Sequence, residues 1–146
     1  HGERILKIAH IYRNCEKQLL TTTVNQFYIM IKLFLLKPGF SDSENNSDNK
    51  RYFCPQCAMI EGVIKYYPQL EKMVEIHYVD FKKPRLEIVE FIGEENQSCP
   101  VLIIDSKHVS NKDISYFNMY GDKFFVNSIE FIIRYFTENF GIGNLH

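Results

Sequence analysis

The chain has 146 residues, of which 45% are hydrophobic, with twelve Phe and nine Tyr and a formal net charge of -1. This length and composition fit one globular domain with a substantial core and exclude a disordered chain. The near-neutral charge does not fit a nucleic-acid binder, and no apolar run reaches the roughly 18 residues of a membrane span.

The first 29 residues are predicted to be a helical extension of a domain that spans residues 30–146. Apolar side chains recur there every three or four positions, as on one helix face: Ile5, Ile8, Tyr12, Cys15 and Leu19. An ordinary first helix of the domain explains the same pattern. Charged residues leave no apolar core for a signal peptide, so we expect a cytoplasmic protein. Because cytoplasmic thiols stay reduced, closely spaced cysteines there favour redox chemistry or metal binding.

The rest of the chain is predicted to alternate between strands and helices. A polar stretch at residues 41–50 lacks periodicity and is predicted to be a surface loop. The predicted strands are residues 31–36, 74–79, 101–104 and 123–126, the last at the sheet edge, and the predicted helices are 58–67, 84–92 and a final one capped by Asn127. This order predicts an α/β fold, with a central mixed four-stranded β-sheet flanked by helices and an extra N-terminal helix.

The segment CPQC at residues 54–57 lies where the first helix after the first strand is expected to begin. Unpaired N–H groups and the partial positive charge at a helix N-terminus stabilise a thiolate. Pro55 fits the first helical turn, where its missing N–H leaves no bond unmade. The short spacer brings both sulfurs to one helix end, within reach of a disulfide. The pattern predicts a catalytic dithiol, with Cys54 as the exposed nucleophile and Cys57 as the buried resolving thiol.

A second signal is the segment SCPV at residues 98–101, directly before a predicted central strand. Together with CPQC, it resembles the thioredoxin and glutaredoxin superfamily, and the Cys-Pro-x-Cys form is closer to glutaredoxins. The resemblance implies a thioredoxin-like fold with a cis-proline at Pro100, packed against the dithiol. The segments LFLLKPGF, FCPQCAMIEG, NQSCPVLIID and IIRYF also resemble a family of uncharacterised bacterial proteins described as thioredoxin-like, over residues 31–140. This narrower resemblance implies a fold and carries over no activity.

Three features depart from thioredoxins proper. Phe53 precedes the first cysteine where thioredoxins usually have Trp, and the chain contains no Trp. Seventeen residues, 37–53, separate the first strand from Cys54, where thioredoxins use only a few. Cys99 stands where Thr, Val or Ser is more usual, so it is a mixed-disulfide trap, a third metal ligand or a small buried side chain. Phe53, Cys99 and Pro100 are the predicted substrate-binding residues.

The leading hypothesis is a thiol–disulfide oxidoreductase that needs no cofactor. Its predicted partner is a protein or small-molecule disulfide or thiol. Lys37 and Arg51 flank the loop before the dithiol and could attract an anionic thiol such as glutathione. Glu61, one helical turn after Cys57, either modulates proton transfer to that thiol or is a solvated helix charge.

Two alternatives remain open at this point. The first is a non-catalytic binding or adaptor protein on a thioredoxin-like scaffold, since one fold hosts many functions and the loop at residues 38–53 could cover the dithiol. The second is a metal site on Cys54, Cys57 and Cys99. Structural zinc normally takes four ligands, so His77 or His108 would have to supply the fourth, and neither has recognisable ligand spacing.

Overall fold

The computed structural model describes residues 31–42 and 50–146, so the predicted N-terminal helix and the extension over residues 1–29 lie outside the described residues. The strands are β1 (Ile31–Leu36), β2 (Glu75–Val79), β3 (Val101–Asp105), β4 (Asn118–Tyr120) and β5 (Lys123–Val126). The α-helices are α1 (Pro55–Tyr66), α2 (Leu86–Ile92) and α3 (Ile129–Phe140). Short 3-10 turns occupy Pro68–Lys72 and Ser106–His108. The predicted α/β class is confirmed.

The strands form one mixed sheet in the order β2-β1-β3-β5-β4. β1 and β2 are parallel neighbours, so α1 lies in the crossover that connects them. β3 runs antiparallel to both β1 and β5. Its residues are buried except for Asp105 at its end, as expected for a central strand covered on both faces.

Within residues 31–42 and 50–146 the sheet already has five strands, so the predicted count of four is wrong. β4 pairs with β5, and residues 123–126 are therefore not the edge strand that the sequence predicts. All three residues of β4 are exposed, so neither alternating burial nor an apolar run marks this strand in the sequence. The loop between β4 and β5 has only two residues, and Gly121 supplies the positive φ of 56° that such a hairpin requires.

Helices cover both faces of the sheet and bury two clusters of apolar side chains. Leu33 and Leu35 of β1 point to the face that packs on α1 and α3. Phe34, between them in sequence, points to the opposite face and packs with Ile88 of α2. This division follows from the two-residue period of a strand. Cys99 packs against both clusters, so the segment before β3 lies between the two layers.

The helix N-termini differ from the predicted ones. α1 begins at Pro55, three residues before the predicted start, because proline suits the first helical turn. α2 begins at Leu86 instead of Pro84, which is preceded by a cis peptide bond. α3 follows Ser128 instead of Asn127, and the Ser128 side chain makes no capping hydrogen bond. The CPQC segment therefore opens α1 itself.

Candidate functional site

The dithiol turn, residues 54–57, forms the N-terminus of α1 beside the end of β1. Cys54 is the N-cap residue with an extended backbone, and its Sγ accepts a hydrogen bond from the Cys57 N–H at 3.3 Å. This bond satisfies one of the N–H groups that a helix leaves unpaired in its first turn. An N–H donor stabilises a negatively charged sulfur more than a neutral one. The Cys54 sulfur therefore lies at the helix N-terminus and takes part in its capping.

Cys57 occupies a different environment one turn into the same helix. Its side chain is 4% exposed and packs in the cluster between the sheet and α1. The Leu36 N–H, at the end of β1, donates a hydrogen bond to the Cys57 Sγ at 3.4 Å. Burial raises the pKa of the Cys57 thiol to about 12, although the Leu36 bond opposes the shift. Cys57 is thus a protonated, shielded thiol at neutral pH.

Cys99 approaches the dithiol through its backbone. The Cys54 Sγ–H donates to the Cys99 carbonyl oxygen at a distance of 3.9 Å, and the Cys99–Pro100 peptide bond is cis, as the resemblance implies. Cys54, Cys57 and Cys99 are all free thiols. Burial raises the pKa of Cys99 to about 11, while the charge of Arg85 acts in the opposite direction. Cys99 is half-buried, and its carbonyl supports the dithiol turn.

A groove of about 390 Å³ opens beside both dithiol sulfurs, and we call it the dithiol groove. Its walls are mainly apolar and are formed by Leu35, Leu36, Pro38, Phe53 and Ala58. Phe53 is 62% exposed and lines the open side of the groove. Cys99 does not line this groove, and neither does Pro100, which is buried. The structure therefore brings Phe53 to the groove. The other two predicted binding residues, Cys99 and Pro100, lie outside its lining.

Two polar side chains line the dithiol groove beyond the cysteines. The Tyr78 hydroxyl donates a hydrogen bond to Glu61 Oε2 at 2.7 Å. Burial raises the pKa of Tyr78 to about 12, and the Glu61 carboxylate adds to the shift. Tyr78 is not among the residues predicted for the site. The sequence signal that could have identified Tyr78 is the alternation of side chains along β2, because it places Tyr78 on the face of the sheet that packs against α1.

Two buried polar residues that the sequence does not predict hold the segment that carries Cys99. The Arg85 guanidinium donates to three backbone carbonyls, those of Asp80 at 3.0 Å, Phe81 and Gln97. The Arg85 backbone N–H donates to the Gln97 side-chain oxygen at 2.6 Å. Arg85 and Gln97 are 6% exposed. These bonds tie the turn before α2 to the chain just before Cys99.

The cations predicted to attract an anionic thiol already have partners. Lys37 Nζ forms an ion pair with Asp80 Oδ1 at 2.9 Å, and Arg51 donates to the Gly39 carbonyl oxygen at 3.1 Å. Neither cation lines the dithiol groove. The electrostatic argument for glutathione therefore gains no support from this groove.

The two candidate histidines lie away from the dithiol. His77 stacks on Phe34 at 4.8 Å between ring centroids, on the sheet face opposite α1. His108 lies in the 3-10 turn after β3, at the far end of that strand from Pro100. Within residues 31–42 and 50–146, no group of three or more His, Cys, Asp or Glu side chains is placed to hold a metal ion. The described residues thus add nothing to the metal alternative.

The fold and the site together define a mixed α/β domain with a cysteine pair at the start of its first described helix. The chain belongs to the family described as Protein of unknown function (DUF3088), whose model matches residues 31–144. No curated protein matches the chain, and no solved structure does. In the part of the chain that the structure describes, every helix is too short or too polar to cross a membrane.

Proposed function

We propose that the protein is a thiol–disulfide oxidoreductase of thioredoxin-like fold that acts through Cys54 and Cys57. One observation carries the proposal: two free thiols share the first turn of α1 in contrasting environments. Cys54 is partly exposed, accepts an N–H bond and borders a groove, whereas Cys57 is buried. Disulfide exchange requires an accessible attacking sulfur and a second sulfur close behind it.

The order of elements supports the thioredoxin-like assignment. A β-α-β unit is followed by a helix, two antiparallel strands and a final helix, with β4 added at the outer edge. The loop before β3 contacts the Cys54 sulfur through the Cys99 carbonyl. In the thioredoxin-like resemblance, Pro100 and its neighbours are expected at this position, next to the dithiol. Phe53 and the apolar walls beside it would receive the substrate.

The exchange proceeds in two balanced steps. The Cys54 thiolate attacks one sulfur of the substrate disulfide and forms a mixed disulfide, and the released substrate thiolate takes a proton from water. Cys57 then loses its proton to solvent and attacks the Cys54 sulfur, which releases the second substrate thiolate to be protonated. The substrate gains two electrons and two protons, and the protein is left with a Cys54–Cys57 disulfide. A reducing compartment such as the cytoplasm would return the pair to the dithiol.

A redox titration of the full chain tests the proposal. The protein is equilibrated in glutathione buffers of increasing oxidised fraction, alkylated and analysed by peptide mass. We expect one two-electron transition between about -270 and -120 mV, the range of known dithiol enzymes. Cys99→Ser should keep the transition, and Cys57→Ser should lose it. A Cys54–Cys57 pair that stays reduced throughout would overturn the proposal and favour a non-catalytic binding module.

A further inference from the structure

The dithiol groove carries an uncompensated negative charge. Among the described residues that line it, Glu61 is the only carboxylic acid, and none is a Lys, Arg or His. Tyr78 stays neutral, because its pKa is raised to about 12. The Tyr78 hydroxyl donates to Glu61 Oε2 at 2.7 Å, which fixes the carboxylate and leaves its charge in place. The apolar walls around it focus that field.

The cations next to the groove do not cancel the charge of Glu61. Lys65, one turn further along α1, forms an ion pair with Glu71 at 2.7 Å and also interacts electrostatically with Glu61. Lys37, beside the groove residue Pro38, forms an ion pair with Asp80 at 2.9 Å. Lys65 therefore faces two carboxylates, and neither cation lines the groove, so the groove keeps a net negative charge.

Glu61 lies within reach of a group bound to the Cys54 sulfur. Glu61 follows Cys57 by four residues, which corresponds to a rise of about 6 Å along the helix. Helical side chains lean toward the N-terminus, so the carboxylate leans back toward the dithiol. Cys54 and Glu61 line the same groove, so a charged arm of a substrate attached at the Cys54 sulfur would lie in the groove that Glu61 borders.

We propose that Glu61, fixed by Tyr78, makes the dithiol groove selective for disulfides that carry a positive charge close to the sulfur. The same charge disfavours anionic disulfides, of which oxidised glutathione is one. This inference rests on the proposed redox function and adds the chemical class of its substrate. Tyr78 acts here as a positioning residue, since its hydroxyl holds the carboxylate whose charge selects the substrate.

The test compares three small disulfides of different charge in single-turnover reactions. The fully reduced full-length protein is mixed with cystamine, which is cationic, bis(2-hydroxyethyl) disulfide, which is neutral, or dithiodiglycolate, which is anionic. Formation of the Cys54–Cys57 disulfide is followed by quenching and peptide mass. Each rate constant is divided by that of the same disulfide with dithiothreitol, so that intrinsic reactivity cancels. We expect the normalised rate to be about threefold to tenfold higher for cystamine than for dithiodiglycolate.

Two variants test whether the charge of Glu61 causes the preference for the cationic disulfide. Glu61→Gln removes the charge and should bring the normalised ratio close to one, even if both rates change together. Glu90→Gln makes the same charge change on an exposed position of α2, on the other side of the sheet, and should keep the ratio. A ratio that survives Glu61→Gln overturns the inference and leaves the redox function standing. A dithiol that no disulfide oxidises overturns both.

Added salt provides a second readout that needs no variant. Screening weakens the attraction of cystamine and the repulsion of dithiodiglycolate. The normalised rates of the two disulfides should therefore converge as the ionic strength rises, while that of the neutral disulfide stays constant. Parallel changes in all three rates would contradict a charge-based selection.

Discussion

The dithiol turn and the Cys99 loop, residues 93–100, each present a cysteine next to a proline at the same end of the sheet, but they are held differently. The dithiol turn depends on helix-start bonds, and its Pro55 and Gln56 are exposed. The Cys99 loop is fixed by side chains, including the bonds between Arg85 and Gln97. Within the loop, the Gln97 amide also donates to the Glu94 carbonyl oxygen at 2.6 Å.

At this end of the sheet, the dithiol turn leaves the Cys54 sulfur partly exposed, and the Cys99 loop forms a hydrogen-bonded surface beside it. The partly exposed sulfur of Cys54 contacts a carbonyl of the Cys99 loop, so the dithiol turn is supported by a segment that side-chain hydrogen bonds hold in place. The two segments also share a feature, since each holds a thiol whose pKa burial raises, to about 12 for Cys57 and to about 11 for Cys99. Substitutions should therefore affect the two segments differently, whereas raising the pH should affect a buried thiol in both.

The largest expected effect is in the alkylation of Cys57. With a pKa of about 12, its thiolate fraction at neutral pH is lower by about three powers of ten than that of a free thiol of pKa about 8.5. The greater nucleophilicity of a high-pKa thiolate offsets part of this loss. We expect Cys57 to react with iodoacetamide about a hundredfold more slowly than a free cysteine, with a tenfold rise per pH unit in alkaline solution.

Peptide mass mapping over time measures this rate. The pKa shift is upward, so the thiol form persists as the pH rises and no plateau should appear before pH 11 or so. Cys99, with a pKa raised to about 11, should level off earlier than Cys57. Rapid alkylation of Cys57 at neutral pH would contradict the shielding of this thiol and its raised pKa.

The next largest effect concerns the Cys99 loop. Arg85→Ala removes charged donors to the carbonyls of Asp80, Phe81 and Gln97, and leaves one buried and two partly buried acceptors without these donors. We expect the free energy of unfolding to fall by about 3 kcal/mol, as measured by urea denaturation. Arg85→Lys should rescue little, because an ammonium lacks the planar fork.

Lys83→Ala provides the matched control for Arg85→Ala. Lys83 lies two residues away in the same turn and is exposed. Its replacement should change the free energy of unfolding by less than about 0.5 kcal/mol. Equal losses for the two variants would mean that the loop is held by the charge of the turn rather than by the bonds of Arg85.

The smallest effects come from two glycines, Gly93 of the Cys99 loop and Gly62 of the helix that follows the dithiol turn, and they have opposite signs. Gly93→Ala at the start of the Cys99 loop meets a φ of 81° and places its Cβ 2.7 Å from the Tyr120 ring. It should destabilise the protein by about 2 kcal/mol. Gly62→Ala in α1 meets no atom within 4 Å and should stabilise it by about 1 kcal/mol. Thermal unfolding of both variants measures the difference.

A double variant distinguishes the two causes at Gly93. Tyr120→Ala combined with Gly93→Ala removes the ring contact but keeps the positive φ. It should therefore recover only part of the loss, relative to Tyr120→Ala alone. Full recovery would assign the whole effect to the contact between the Cys99 loop and β4.

The elements that the sequence predicts are those whose pattern lies within a few consecutive residues. The CPQC segment contains its own helix start, since Cys54 caps α1 and Pro55 fits its first position. The alternation and apolar runs of β1, β2, β3 and β5 likewise predict their strands. β4 carries no such signal, because all three of its residues are exposed and show neither alternating burial nor an apolar run.

Two pairings that the sequence does not predict join residues far apart in the chain. Arg85 and Gln97 are twelve residues apart, and Glu61 and Tyr78 are seventeen apart. A charged or polar side chain is by default a surface group, so only the folded arrangement shows which of them are buried or paired. The Cys54–Cys57 pair was predictable because one helical turn positions both of its members.

The hydrogen bond from the Leu36 N–H to the Cys57 Sγ provides a natural spectroscopic reporter. Formation of a disulfide changes the electron density on that sulfur, and the amide proton that points at it senses the change directly. The chain contains no Trp, so indole fluorescence cannot follow oxidation in this protein. The nitrogen–proton resonance of a single backbone amide at the end of β1 can do so, in solution and without a chemical label.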